Sequence, residues 1–234
     1  MNAPRRATRA MAANVKGGKS PKGVGAGGPG AGLGPAGERA CKAIRRGRRH
    51  GVTVWFFCEF TKLQEEAIRK AFPNLMIFRA TPNQRHPGGV EIGNAFVVDP
   101  AFWWPAQTHR ELLLEGLGEV LHLPVLQLEP RGWGGHAGTV TFVGVHWWAG
   151  RRWSVRRARR RAARALEARV NGIGRVVLLG DFQIAIRLFK GWRGFRAGVD
   201  AVLVRGVRGR RGRRHEGFVG AVSDHPAVSL EVSW

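Results

Sequence analysis

The chain has 234 residues and a formal charge of +23, so any function it carries must account for a large cationic excess. With 44% apolar residues, 12 Phe and 9 Trp it can bury a sizeable core, which excludes a wholly disordered basic polymer. Its longest apolar runs, such as Val54 to Cys58 and Val176 to Leu179, fall far short of the roughly 20 residues that a membrane-spanning helix needs. A single domain over 1–234 is expected. The basic start, Met1 to Arg9, leads into no long apolar segment, so a cytoplasmic setting is expected. Cys41 and Cys58 are too few for a disulfide framework and lack zinc-site spacing; both are expected to be small buried residues. Most of the cations are Arg, whose planar fork suits phosphate, although a GC-rich genome raises Arg as well. Such a field attracts nucleic acid first and anionic membrane surfaces second.

In chain order, Ala7 to Val15 reads as a short strand. Gly17 to Gly37 is rich in Gly and Pro and cannot offset its ordering entropy, so a flexible insertion is expected there, with a detachable N-terminal tail as the alternative. Glu38 to His50 predicts a helix, Val52 to Cys58 a buried strand, Lys62 to Phe72 a helix and Leu75 to Phe78 a strand. Gly93 to Val98 is a further strand, and the segment with Trp103 and Trp104 shows no period and reads as loop. Val120 to Leu128 and Thr139 to Trp147 flank the glycine-rich stretch Arg131 to Gly138 as an antiparallel pair. A long surface helix is expected between Ser154 as N-cap and Gly172 as stop, its apolar stripe being Val155, Ala158, Ala162, Ala165, Leu166 and Ala168. Arg175 to Leu179, Val199 to Val204 and Ala227 to Val232 complete the strands. Sheets interleaved with few helices predict two packed sheets covered by helices.

Polar residues sit where apolar strands end. Val176 to Leu179 runs into Gly180, Asp181, Phe182 and Gln183, where a strand end would hold a carboxylate rigidly, although Gly-Asp is also ordinary turn chemistry. Ser223, Asp224 and His225 crowd the junction before the last strand, and an imidazole beside carboxylates invites proton chemistry; a solvated loop is the plainer reading. Glu59 follows Val54 to Cys58, and His146 follows Phe142 to Val145. Each alone could be a satisfied polar residue, but together they point to a site.

This order of residues resembles the endonuclease/exonuclease/phosphatase superfamily over nearly the whole chain. Asn14 in Ala-Ala-Asn-Val, Glu59 in Phe-Cys-Glu-Phe, Gly93-Asn94-Ala95, the strand-end His146, Asp181 and Gln183 in Gly-Asp-Phe-Gln, Asp200 in Gly-Val-Asp-Ala-Val-Leu-Val, and Ser223-Asp224-His225 follow the family's sequence of motifs. Gln183 stands where the family has Asn, and Cys58 stands where it commonly has Gln. The resemblance implies an α/β fold, a four-layer sandwich of two packed mixed β-sheets flanked by helices.

It also implies hydrolysis of a phosphate ester by in-line attack of water, with Mg2+ or alternatively Mn2+ as cofactor. Glu59 would lead the metal ligands, with Asp224 and Asn14 supporting. Asp181 and Gln183 would position or activate the water, Asp200 would orient His225, and His146 would contact the scissile phosphate. The charge then selects the substrate among those the fold serves. Arg205, Arg208, Arg210, Arg211, Arg213 and Arg214 lie between the Asp200 strand and the Asp224 motif and are expected to hold a nucleic-acid backbone, DNA before RNA. Trp147, Trp148, Trp153 and Trp192 are candidates to stack on bases. The leading expectation is a metal-dependent nuclease. The alternatives are a phosphatase or lipid phosphodiesterase of the same fold, for which Trp103 and Trp104 would be the apolar loop, or a catalytically impaired nucleic-acid binder marked by Gln183.

Overall fold

The structure, a computed structural model, describes residues 7–15, 35–82, 84–85, 91–107, 109–117, 119–131, 138–147, 152–183, 189, 191–216 and 226–233. The elements in order are β1 (Thr8–Asn14), α1 (Pro35–Arg48), β2 (Val52–Phe60), α2 (Lys62–Ala71), β3 (Met76–Arg79), β4 (Gln84–Arg85), β5 (Glu91–Val98), β6 (Trp103–Pro105), β7 (Arg110–Gly116) and β8 (Glu119–Pro130). They continue with β9 (Val140–His146), α3 (Trp153–Val170), β10 (Val176–Asp181), β11 (Arg193–Ala197), β12 (Asp200–Arg205), β13 (Arg208–His215) and β14 (Ala227–Ser233).

Two seven-stranded sheets form. The first runs β13-β14-β1-β2-β5-β3 with β4 on β5, and the second runs β11-β12-β10-β9-β8-β6 with β7 on β8. Both are mixed, because each contains one parallel pair, β1 with β2 and β9 with β10. Helices bridge those pairs in sequence, α1 between β1 and β2 and α3 between β9 and β10.

The period of two along each strand sorts residues into layers. Ala10, Ala12, Val54, Phe56, Phe96 and Val228 of the first sheet meet Phe142, Val177, Leu179 and Val202 of the second in the central core. Met11, Trp55, Phe57 and Val97 face the other way onto α1 and α2, and Val143, Val145, Leu178 and Leu203 face α3. Helix, sheet, sheet and helix make the four-layer α/β sandwich. Phe56 is the tightest point of the central layer. A Cβ on Gly144 would lie 2.0 Å from its ring, and one on Gly180 2.8 Å, so both glycines are what allow the sheets to approach there.

Several sequence expectations change. The Gly/Pro-rich stretch lies outside the described residues up to residue 34, but its last three residues, 35–37, already belong to α1, with Pro35 at the first helical position, where its missing N–H costs nothing. Trp103 and Trp104 are on β6 rather than in a loop; Trp103 is a core residue, edge-on to Phe142 with its indole N–H donating to Thr53 Oγ1 at 2.9 Å. The N-cap of α3 is Arg152, not Ser154, and its buried stripe is Ala158, Arg159, Ala162, Ala163, Leu166 and Val170, so Ala165 and Ala168 face out. Both cysteines are free and buried. Among the described residues no helix is long and apolar enough to cross a membrane.

Candidate active site

The C-terminal ends of the two parallel pairs meet at one end of the sandwich. In register, Asn14 lies opposite Cys58, and Asp181 lies opposite both His146 and Asp200. By strand alternation, Asn14, His146, Asp181 and Asp200 point to the same side as Ala12, Phe142, Leu179 and Val202, into the space between the sheets. The fold thus brings together four sequence candidates from both sheets, and Glu59 and Gln183 join them through special backbone geometry.

Glu59 sits in a β-bulge of β2 against β5, with φ 56°. An extra residue in a strand re-aims a side chain, and here Glu59 Oε1 accepts from Asn14 Nδ2 at 2.9 Å. The exits of both strands are tied to α2. Thr61 and Gln64 form a capping box, and Gln64 Nε2 also donates to Val15 O at 3.1 Å. Gln64 is therefore a supporting residue that the sequence reading passed over, although its Thr-x-x-Gln pattern is a legible cap signal.

Gln183 follows β10 with φ 49°. Its backbone N–H donates to Asp181 Oδ1 at 3.1 Å and its side-chain amide to Asp181 Oδ2 at 2.8 Å. Arg159, buried on α3, donates Nη1 to Gln183 O at 2.6 Å. Burial lowers the Arg159 pKa and the Asp181 carboxylate raises it in part. On the other sheet the buried Arg39 of α1 stands in the same relation to Glu59. Two guanidiniums thus lie behind the two acidic strand ends.

The floor is apolar or neutral. Cys58 is fully buried with its thiol directed to Val145 O at 3.9 Å. Burial, then Asp181 and Asp200, and more weakly Glu59, push its pKa well above the ordinary thiol value, so it stays protonated among the carboxylates. Asn94, 0% exposed, pairs across from the Glu59 bulge and points between the sheets, as Phe96 and Val98 do. Among the described residues neither its Oδ1 nor its Nδ2 has a hydrogen-bond partner. A buried amide left unmade costs about 1–3 kcal/mol, and its place beside Glu59 suits water, a hydrated cation or a phosphoryl oxygen.

The donors here are oxygen-rich. Among the described residues no group of three or more His, Cys, Asp or Glu could form a closed cage. One part-exposed carboxylate with neighbouring amides fits a hard ion that keeps its waters, such as Mg2+, better than a four-ligand metal. Asp224 and His225 lie outside the described residues.

The arginine run splits. Arg205 pairs with Glu167 at 3.2 Å, reaches Val170 O, and stacks over Trp192 at 4.6 Å, so it is held against the C-terminal part of α3. Arg208, Arg210, Arg211, Arg213 and Arg214 are exposed on β13, an edge strand of the first sheet. The tryptophans divide too. Trp147 is buried, Trp192 is bonded to Glu167, and Trp148 is outside the described residues. Trp153 is 71% exposed at the start of α3, six residues after Trp147 leaves the site, with Arg157 over its ring at 5.2 Å. The exposed Trp104 is at the opposite end of the sandwich, since β6 pairs with the end of β8 that meets the start of β9.

No protein-family profile matches the chain, and no curated protein sequence matches it. Solved structures do. An endonuclease/exonuclease/phosphatase family protein from Bacteroides thetaiotaomicron superposes with a TM-score of 0.73 at 14% identity, covering 99% of both chains. TDP2 of D. rerio, solved with a single-strand DNA product, gives 0.71 at 10% identity over 97% of this chain and 98% of its own. The mannosyl-6-phosphatase Bt3783 of Bacteroides thetaiotaomicron gives 0.69 at 13% identity over 97% and 100%. The chain shares the fold of these structures, among them an endonuclease/exonuclease/phosphatase family protein.

Proposed function

We propose that the chain is a metal-dependent phosphodiesterase that hydrolyses nucleic-acid backbones, DNA before RNA. The observation that carries this reading is the convergence of Asn14–Glu59 from one sheet and Asp181–Gln183, His146 and Asp200 from the other on one cleft. The fold's neighbours include a protein solved with single-strand DNA product and a sugar phosphatase, so phosphoester chemistry is common ground and the charge of +23 argues for the polyanion.

In this mechanism Glu59, supported by Asn14 and Asp224, would hold a divalent ion, Mg2+ or Mn2+, which neutralises charge on the phosphoryl oxygens. Asp181, oriented by the Gln183 amide, accepts a proton from water as its oxygen bonds to phosphorus. The ester P–O bond opposite breaks, the leaving oxygen takes up a proton from solvent water, and Asp181 returns its proton to solvent. His146, and His225 with Asp200 to orient it, would donate to the phosphate as charge develops. Trp153 would offer an exposed ring at the start of α3 for an unpaired base.

The test is cleavage of labelled single-stranded and duplex DNA and RNA with Mg2+ or Mn2+ against chelator, alongside Asp181→Asn. Metal-dependent cleavage lost in the variant is expected. Cleavage that persists undiminished in Asp181→Asn sinks the assignment. One observation favours a second reading: the Gln183 amide is spent on Asp181. Tight binding with no cleavage under any metal would make the chain a binder on a hydrolase fold.

A further inference from the structure

The apolar layer beneath α1 and α2 ends on β14 at Ala227. Beyond it, the residues of β14 that share its outward direction are Ser229 and Glu231. Their partners on β13 are Arg213 and Arg210, and Arg208 follows opposite Ser233. Of the β13 residues paired with inward-facing positions of β14, Gly209 lies opposite Val232 and Arg214, at the end of the strand, opposite Val228. A Cβ on Gly209 would lie 2.7 Å from Leu230 Cδ2, and one on Gly212 2.2 Å from Phe195. The run Arg-Gly-Arg-Arg-Gly-Arg-Arg is thus a strand that packs closely at Gly209 and Gly212 and presents Arg208, Arg210 and Arg213 outward, positions two apart in a regular strand being about 7 Å apart.

Other elements add to this face. Arg9 of β1 donates to Arg211 O at 2.8 Å and to Ser229 Oγ at 3.3 Å. Glu231 pairs with Arg9 at 3.7 Å and Arg211 at 3.8 Å. Arg213 Nη1 lies 2.8 Å from His50 Nδ1, just past the end of α1, and the rings of His50 and His215 are 5.1 Å apart. Arg46 and Arg49 stand within electrostatic reach of His50. Arg9 and Arg211 thus share the Glu231 carboxylate, while Arg213, Arg46 and Arg49 surround the neighbouring His50. Burial, and then these cations, hold His50 and His215 below the usual histidine range. Like charges fixed on a rigid sheet repel, and their outward heads make no contribution to the core.

We propose that this outer face of the first sheet is a second nucleic-acid site, gripping a phosphate backbone on the side of the sheet opposite the catalytic cleft. Its contacts are to phosphate and independent of sequence, so it tethers rather than selects. The inference goes beyond the catalytic reading and stands without it.

The experiment measures anisotropy of a labelled DNA duplex over a salt series in chelator, so that turnover plays no part. The variants are R210Q/R211Q/R213Q, the charge-retaining R210K/R211K/R213K, and R46Q/R49Q on the α1 side. Both glutamine variants are expected to weaken binding at least about tenfold at low salt, and the triple one to flatten the salt slope by about three. The lysine variant is expected to keep most of both. Unchanged affinity and slope in both glutamine variants would overturn the proposal, and so would equal loss in the lysine variant. Phosphatidylserine vesicles held through these arginines while DNA is not would overturn it in favour of a membrane surface. Absence of cleavage would bear on the catalytic reading alone.

Discussion

Arg159 on α3 holds the Gln183 carbonyl at 2.6 Å, and the Gln183 amide in turn holds Asp181 at 2.8 Å. Gln183 has φ 49°, a region Asn tolerates better than Gln because its shorter side chain bonds locally to the backbone. Arg159 thus supplies from α3 what an Asn would supply itself. Arg159→Met is expected to lower kcat by about a hundredfold, as misplacement of about 1 Å does. In a Gln183→Asn background the same change is expected to cost much less. A double-mutant cycle on kcat measures the coupling; additive effects would refute the role.

Asn94 is the second lever. Its amide is buried with no partner among the described residues, a cost of about 1–3 kcal/mol that a similarly shaped apolar residue would remove. Asn94→Leu is expected to raise the midpoint of urea unfolding while lowering turnover by at least about tenfold. A variant that is both less stable and fully active would show the amide to be structural.

Trp153 is 71% exposed, so its removal should leave stability unchanged. Trp153→Ala is expected to weaken single-strand binding by about 1–3 kcal/mol, the worth of one stacked base. KM should rise and kcat hold. Equal effects on oligonucleotides and on a small chromogenic phosphodiester would rule stacking out.

Acid stability follows from His215. Burial, then His50, Arg213, Arg9 and Arg46, lower its pKa from 6.5 to about 4, while Ser229 bonds its Nε2 at 2.9 Å and Glu231 lies on the neighbouring strand. A lowered histidine pKa means that the unfolded chain takes up the proton first. Stability is complete above pH 6.5 and falls as the pH drops toward about 4, by at most about 1 kcal/mol per pH unit. His215→Gln is expected to flatten that part of the urea-unfolding profile, and an unchanged slope would sink the claim.

The strands that deliver the site were legible because burial on both sides writes them as continuous apolar runs, as in Val52 to Cys58 and Val176 to Leu179. β13 was not, because it is made of arginine and glycine up to His215 and so carries no apolar alternation. Arg159 read as one more cation on a solvated helix, yet it is buried, since its partner is a carbonyl reached only through tertiary contact. Arg205 belonged by sequence to a charge run, and by structure to Glu167 and Trp192. Asn94 was visible as a motif residue, but nothing in a sequence says that an amide will lack partners.

β14 lies between β13 and β1, so a late segment of the chain completes the sheet that an early one begins. During synthesis, Asn14 and Glu59 can leave the ribosome long before the strand that braces β1 from its other side exists. Pairing of such sequence-distant strands is slow to nucleate. The nascent chain would meanwhile expose its arginines next to ribosomal RNA, which makes late closure of this sheet the step at which assembly and mis-capture compete.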